Sequence, residues 1–202
     1  MEGSLMHRIG TSALDTIHRI RSYFFVFYMD HFSHLPNGEV WDSAFGYAEG
    51  VGNIIAALAK KENANVVLVG QEGVGSIGIA KEVARRIDGS VVFINIEELF
   101  QGNASGMAQL HAIATLLAEM EQRGKSIAVL THMSGVFAGN YSLNAEDVLH
   151  PIFASPNVRT IAILSDEEYA AHVENHADLS RLSQKIQIPS LESAYVKELL
   201  KS

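Results

Sequence analysis

The stretch Gly70-Gln71-Glu72-Gly73-Val74-Gly75-Ser76-Ile77 sets three glycines between a short apolar run, Val66 to Val69, and a helical pattern. Glycines so placed let backbone N–H groups turn toward a bound anion. The positive end of the following helix dipole adds to that attraction. A phosphate-binding loop of this shape then needs a Lys, which carries charge to the β- and γ-phosphates, and a Ser or Thr, which ligates Mg²⁺. Ser76 and Ile77 stand in those two places. The Ser76 hydroxyl can donate a hydrogen bond but brings no charge, and Ile77 cannot ligate a metal. A charge-assisted contact is worth about 1.5–3 kcal/mol, so its loss weakens triphosphate binding strongly. The competing reading is a glycine-rich strand-to-helix turn with no ligand.

Metal-assisted phosphoryl transfer also needs an acid at the end of a neighbouring strand. The run Ser126 to Leu130 fits that slot but ends in Thr131-His132-Met133. Nine histidines raise the question of a metal. His172 and His176, four apart, could share a helix face, but "HVENH" does not match H-E-x-x-H and offers no third ligand. His31 and His34 flank a turn and read as a solvated pair. His132 is a base in principle, with neither a metal nor a lysine nearby in the sequence. Glu97-Glu98 reads as a helix start or a solvated rim.

The elements that must position these residues alternate in type. Strand-like runs occur at Val66–Val69, Ser90–Ile96, Ile127–Leu130, Val158–Leu164 and Gln184–Ile188. Helical patterns occur at Glu49–Lys60, Ile77–Ile87, Met107–Arg123, Glu146–Ala154, Asp166–Val173 and Ser190–Lys201. Ile79, Val83 and Ile87 fall on one face of the second helix. Leu110, Ile113, Ala114, Leu117 and Met120 are expected to form the buried face of the third. The alternation predicts an α/β fold with a mainly parallel sheet and right-handed crossovers. Ligands in such sheets bind at the carboxyl ends of the strands, where the glycine loop lies. Before Asn65 the pattern is less regular. It holds an amphipathic stretch, Ile9–Ile20, an apolar run, Tyr23–Met29, and a turn signal, Leu35-Pro36-Asn37-Gly38.

Composition narrows the function classes. A chain of 202 residues with 48% hydrophobic and 19% charged residues can bury one good core. Its net charge of -8 argues against broad binding to a nucleic-acid backbone. With no cysteine, disulfides, zinc-thiolate sites and thiol nucleophiles are excluded. Tyr23–Met29 is far shorter than the roughly 20 residues that span a bilayer. It reads as a buried strand or a partner-binding edge, so no membrane contact is expected.

Three stretches together resemble the first AAA+ module of the Clp/ClpB-type protein unfoldases. "GNIIAALAKKENANVVLVGQEGVGSIGIAKEVARRI" is similar to the helix, strand, Walker A loop and helix of that module. "EDVLHPIFASPNVRTIAILSDEEY" is similar to its Leu-x-Pro helix, sensor-1 strand and T-T-x-D-E-Y ending. "YAAHVENHADLSRLSQKIQI" follows the stretch that ends in the family's paired arginines. The likeness covers residues 46 to 188. It implies a three-layer αβα P-loop NTPase (AAA+) large subdomain with a mainly parallel five-stranded sheet and no helical lid. Residues 1–45 would be an N-terminal extension or linker, 46–188 the AAA+-like core, and 189–202 the start of a truncated lid or a C-terminal helix. The chain would then be an excised fragment.

The resemblance also assigns site positions. Gly70, Gly73, Val74, Gly75, Ser76 and Ile77 form a degenerate nucleotide-binding loop. Thr131 and His132 stand at a degenerate Walker B. Ser165 is a sensor-like remnant. Arg181 matches one of the two arginines near the trans-acting finger position, Leu182 replacing the other. The pore loop that grips substrate through an aromatic falls on Gly102-Asn103-Ala104-Ser105-Gly106, which has none. These changes imply no catalytic residue, no metal and no cofactor. The expected function is a pseudo-ATPase kept as an assembly or protein-interaction module. Its partners would be proteins, either copies of itself or active AAA+ subunits, with no nucleic acid, in the cytoplasm. The alternative is a module of a Clp-like chaperone or unfoldase that still binds ATP or ADP weakly, with little or no hydrolysis.

Overall fold

The computed structural model describes residues 48–71, 74–87, 90–102, 105–122, 124 and 126–189. Ile9–Ile20, Tyr23–Met29, His31, His34, the Leu35–Gly38 turn, Gly73 and Ser190–Lys201 lie outside them. Five strands form one sheet: β1 (Asn65–Val69), β2 (Ser90–Asn95), β3 (Ser126–Thr131), β4 (Val158–Leu164) and β5 (Ser183–Gln187). All pairings are parallel, in the order β2-β3-β4-β1-β5. β1, β3 and β4 are the interior strands and carry the most apolar sequences, as a sheet covered on both faces requires.

Two helix layers cover the sheet. On one side α1 (Ala48–Leu58) packs on α2 (Ser76–Arg86). Val51, Ile54, Ala57 and Leu58 of α1 and Ile79, Ala80 and Val83 of α2 share a core with Val66, Leu68, Ile127, Val129 and Ile161. The sheet residues in this core are alternate ones, as the two-residue strand period demands. The intervening Val67, Val69, Ala128, Leu130, Ala162 and Leu164 are buried too, toward the opposite face. There α4 (Gly106–Gln122) packs on α6 (Ala145–Phe153), and α6 on α8 (Ala177–Leu182). Shorter helices fill the connections: α3 (Ile96–Phe100) after β2, α5 (Ser134–Phe137) after β3 and α7 (Asp166–Tyr169) after β4. α7 runs on into a wider π-helical turn, Ala170–Glu174.

A single buried side chain ties the amino-terminal side of this second layer to the sheet. Asn65, 5% exposed, donates through Nδ2 to the carbonyls of Phe153 (2.8 Å) and Leu182 (2.9 Å). Its Oδ1 accepts from Thr160 N–H at 3.1 Å. The end of α6, the end of α8 and β4 are thereby fixed to the first residue of β1. Nearby, the Thr160 hydroxyl is buried with no hydrogen-bond partner among the described residues.

Three expectations need correction. The buried face of α4 is Gln109, Ala112, Ile113, Leu116 and Met120. Leu110 is 40% exposed and Ala114 faces solvent, because α4 is apolar on two sides and its spacing fits either. β2 stops at Asn95, whose side chain caps α3, so Ile96 opens a helix. His172 and His176 do not share a face, since the π-helical turn ends between them. His172 stacks on Phe137 (centroids 4.8 Å apart), and His176 Nδ1 lies 3.5 Å from a Glu146 carboxylate oxygen.

Candidate functional site

β4 lies between β3 and β1, with Val69 beside Leu164 and Leu130 beside Ala162. The glycine loop after β1, Ser165 after β4 and Thr131-His132 at the end of β3 therefore share one edge of the sheet. Arg181 does not join them. It sits in α8, just before Ser183, which pairs with Asn65 at the opposite edge. There it is exposed and lies 3.6 Å from Asp178, one helical turn back.

The floor of the loop is apolar. Gly70 N–H donates to the Leu164 carbonyl at 3.2 Å. A Cβ at Gly70 would lie 3.0 Å from Val74 Cγ2 and 3.2 Å from Ile188 Cβ, so only glycine fits without a shift. Val74 and Ile188 are both buried in the core shared with α1 and α2. Val74 N–H donates to the Gln71 carbonyl at 3.3 Å, which turns that donor toward the loop itself. At the head of α2, Gly75 has φ 83°, a left-handed conformation that glycine adopts without strain. Among the described residues no side chain caps α2, and no acid lies in its first turn. The backbone entry to the helix thus keeps an anion-compatible form. The side chains do not match it: Ser76 is half-buried and neutral, and Ile77 is 41% exposed.

The other positions are occupied by local structure. Buried Thr131 donates from Oγ1 to the Ile94 carbonyl of β2 at 3.2 Å and contacts His132 Nδ1 at 3.1 Å. His132, just past the strand, has φ 55°, in the left-handed region that few side chains other than Asn, Asp and His adopt. Ser165 caps α7: its hydroxyl accepts from Glu168 N–H at 3.1 Å, and its own N–H donates to Glu168 Oε2 at 2.8 Å. A capping box accounts for this serine without a ligand. Among the described residues no group of three or more His, Asp or Glu could hold a metal ion.

Sequence reasoning missed a second polar cluster, at the end of β2. A groove of about 880 Å³ runs between α3, the start of α4 and the loop after α5. Asn95, Glu97, Phe100, Gln109, Asn140 and Tyr141 are among its lining residues. Tyr141 meets Phe100 edge to face, with centroids 5.3 Å apart. Burial pushes the Tyr141 phenol above its ordinary pKa, and the Glu97 charge pushes it further. The glutamate pair was visible in the sequence, but Tyr141 was not, because its approach depends on β2 and β3 being neighbours.

No protein-family model matches the chain. Among curated proteins, the chaperone ClpB of Mycoplasmoides gallisepticum is 26% identical over 161 residues, covering 72% of this chain and 22% of that protein. ClpB 2 of Thermosynechococcus vestitus is 28% identical over 172 residues, covering 75% and 19%. A solved S. cerevisiae Hsp104–ADP complex is 21% identical with a TM-score of 0.67, covering 77% of this chain and 29% of that one. The chain thus spans about a fifth of the length of the curated relatives it matches.

Proposed function

Because this chain carries a Clp-type AAA+ module, we propose that it is a catalytically silent one, retained for assembly and protein interaction. One observation carries the reading. Ser76 and Ile77 head α2, while Thr131-His132 ends β3, the positions at which phosphoryl transfer needs a cation, a metal-binding hydroxyl and an acid. The scaffold that would hold those groups is built, with Ser165 engaged in a helix cap and Thr131 bonded to β2. Its partners in this reading are proteins, copies of the chain or active AAA+ subunits, with Arg181 available to a neighbour because it stands clear of its own loop. The left-handed Gly75 and the uncapped start of α2 favour a second reading, in which ADP or ATP is held by backbone contacts without turnover.

Thermal unfolding of the full chain with ATP or ADP, with and without Mg²⁺, separates the two. A ligand at a hundred times its Kd stabilises the native state by about 2.7 kcal/mol, a shift of several degrees. No shift is expected. A Mg²⁺-dependent rise in Tm overturns the silent reading, and a rise independent of Mg²⁺ establishes the second. The double change Ser76→Lys, Ile77→Thr should create a nucleotide-dependent shift. Sedimentation velocity over a range of concentrations reads the assembly arm, and a monomer throughout removes self-association.

A further inference from the structure

The loop between α1 and β1, Lys60-Lys61-Glu62-Asn63, is pinned to the sheet by side chains of two other strands. Arg159, the second residue of β4, donates from Nη2 to the Lys60 carbonyl at 3.3 Å. Lys60 Nζ donates to Oε1 of Gln184, the second residue of β5, at 2.6 Å. Gln184 Nε2 donates in turn to the Asn63 carbonyl, and Asn63 closes the turn in a left-handed conformation, φ 50°. Arg159 and Gln184 lie on the α1 side of the sheet, because they alternate in step with Ile161 and Ile186, which pack there. The two side chains that carry Lys60 thus stand on either side of β1, and exposed Lys61 follows in the same loop. Among the described residues no carboxylate lies within ion-pair reach of Lys60, Lys61 or Arg159, Glu62 included. Other cations of the fold are engaged: Arg85 and Arg86 share Glu82, Arg181 lies by Asp178, and Lys185 stands over the Tyr169 ring. The carboxyl end of α1 accounts for one cation, through its helix dipole, but does not call for three.

The fold separates charge along the strand direction. Glu97, Glu98, Asp166, Glu167 and Glu168 open the helices that follow the carboxyl ends of β2 and β4. Lys60, Lys61 and Arg159 sit at the opposite, amino-terminal edge of the sheet, in a chain of net charge -8. An anionic partner is therefore repelled from the first edge and drawn to the second. β4 and β5 lie two strand spacings apart, about 10 Å. Cations carried over that width match separate carboxylates two or three residues apart on an extended chain, at about 3.3 Å per residue, better than one small anion. The pinned turn fixes the loop before anything binds, so little ordering is lost on contact. We propose that this edge, around Lys60, Lys61 and Arg159, docks an acidic segment of a partner polypeptide, its Asp or Glu carboxylates meeting the guanidinium and the two ammonium groups. The proposal rests on the protein-interaction reading above and names the surface and the chemistry of the partner.

Fluorescence anisotropy of the full chain with a labelled peptide of Glu, Ser and Gly tests it, against the same peptide with Gln for Glu. The Glu peptide should bind, and the Gln peptide should bind at least about fivefold more weakly, the size of one good exposed charge pair. Arg159→Gln and Lys61→Gln should each weaken the Glu peptide by about two- to fivefold and flatten its salt dependence. Arg159→Gln also frees the loop, whereas Lys61 is exposed and holds nothing in place, so Lys61→Gln should do this with an unchanged Tm. Lys81→Gln, the same charge change in the middle of α2, should leave Kd unchanged. Inorganic phosphate should displace the peptide no better than chloride of equal ionic strength. Equal weakening by Lys61→Gln and Lys81→Gln, equal binding of both peptides, no binding of the Glu peptide, or displacement specific to phosphate overturns the proposal. Failure of peptide binding beside concentration-dependent sedimentation strikes this surface alone and leaves the interaction reading standing. A nucleotide-dependent Tm shift with intact peptide binding strikes only the silent-module reading.

Discussion

Replacing Asn65 should be among the most damaging single changes in the described core. Its side chain makes three hydrogen bonds in a site 5% exposed, to the Phe153 and Leu182 carbonyls and from the Thr160 N–H. Asn65→Leu keeps most of the volume and removes all three. Each net bond is worth about 0.5–1.5 kcal/mol, and a partner left buried and unmet costs about 1–3 kcal/mol. The expected loss is about 3–4 kcal/mol, a large part of the roughly 5–15 kcal/mol of a typical domain. Asn65→Asp adds a pH signature. Its carboxylate would face two carbonyl oxygens where an amide now donates. Burial and those dipoles raise the folded-state pKa of the new acid above its unfolded value of about 3.9. A raised folded pKa means that stability is retained below the unfolded pKa and lost as pH rises through the folded one. The Asn65→Asp penalty should therefore be larger at pH 8 than at pH 5. Urea unfolding followed by circular dichroism, compared with the wild type at both pH values, gives both quantities. An Asn65→Leu loss below about 1 kcal/mol, or an Asn65→Asp penalty that ignores pH, would refute the clamp.

Two further outcomes follow from buried polar groups. Thr160→Val removes the buried hydroxyl that lacks a partner while keeping its shape, and should stabilise the chain by about 1 kcal/mol in the same urea assay; a loss would mean the hydroxyl is engaged. Burial, and secondarily the Glu174 charge, raise the Tyr169 phenol above its usual pKa of 10.0. The neutral phenol is favoured by the fold, so its contribution is full below pH 10 and falls as pH climbs through the folded pKa. Tyr169→Phe should flatten the alkaline decline of the urea midpoint, and an unchanged slope counts against the assignment.

What could be read from the sequence depended on length and on local geometry. The strands and the longer helices declared themselves because several turns of a period outweigh noise. α3, α5 and α8, with five, four and six residues, are too short to carry one. α4 misled because Leu110 and Leu117 mimic a core face that Gln109 and Leu116 in fact form. Within the site, Gly75 was legible since a strand-to-helix turn calls for a left-handed residue, and Thr131-His132 since a strand must end somewhere. Glu97 and Tyr141 were not, being far apart in the chain and joined only through the side-by-side register of β2 and β3.

The position of β5 has a consequence for the order in which the sheet can form. β1 is flanked by β4 and β5, and Asn65 pairs with Ser183, 118 residues later (183 minus 65). At a synthesis rate of about 5–20 residues per second, β1 waits roughly 6–24 s with its outer edge bare. During that interval the apolar run Val66 to Val69 lacks its full set of neighbouring strands and can pair with another extended chain. The nascent module is thus open to mispairing at the strand that later carries its glycine loop, and the wait ends only when the polar, lysine-bearing β5 arrives to cover it.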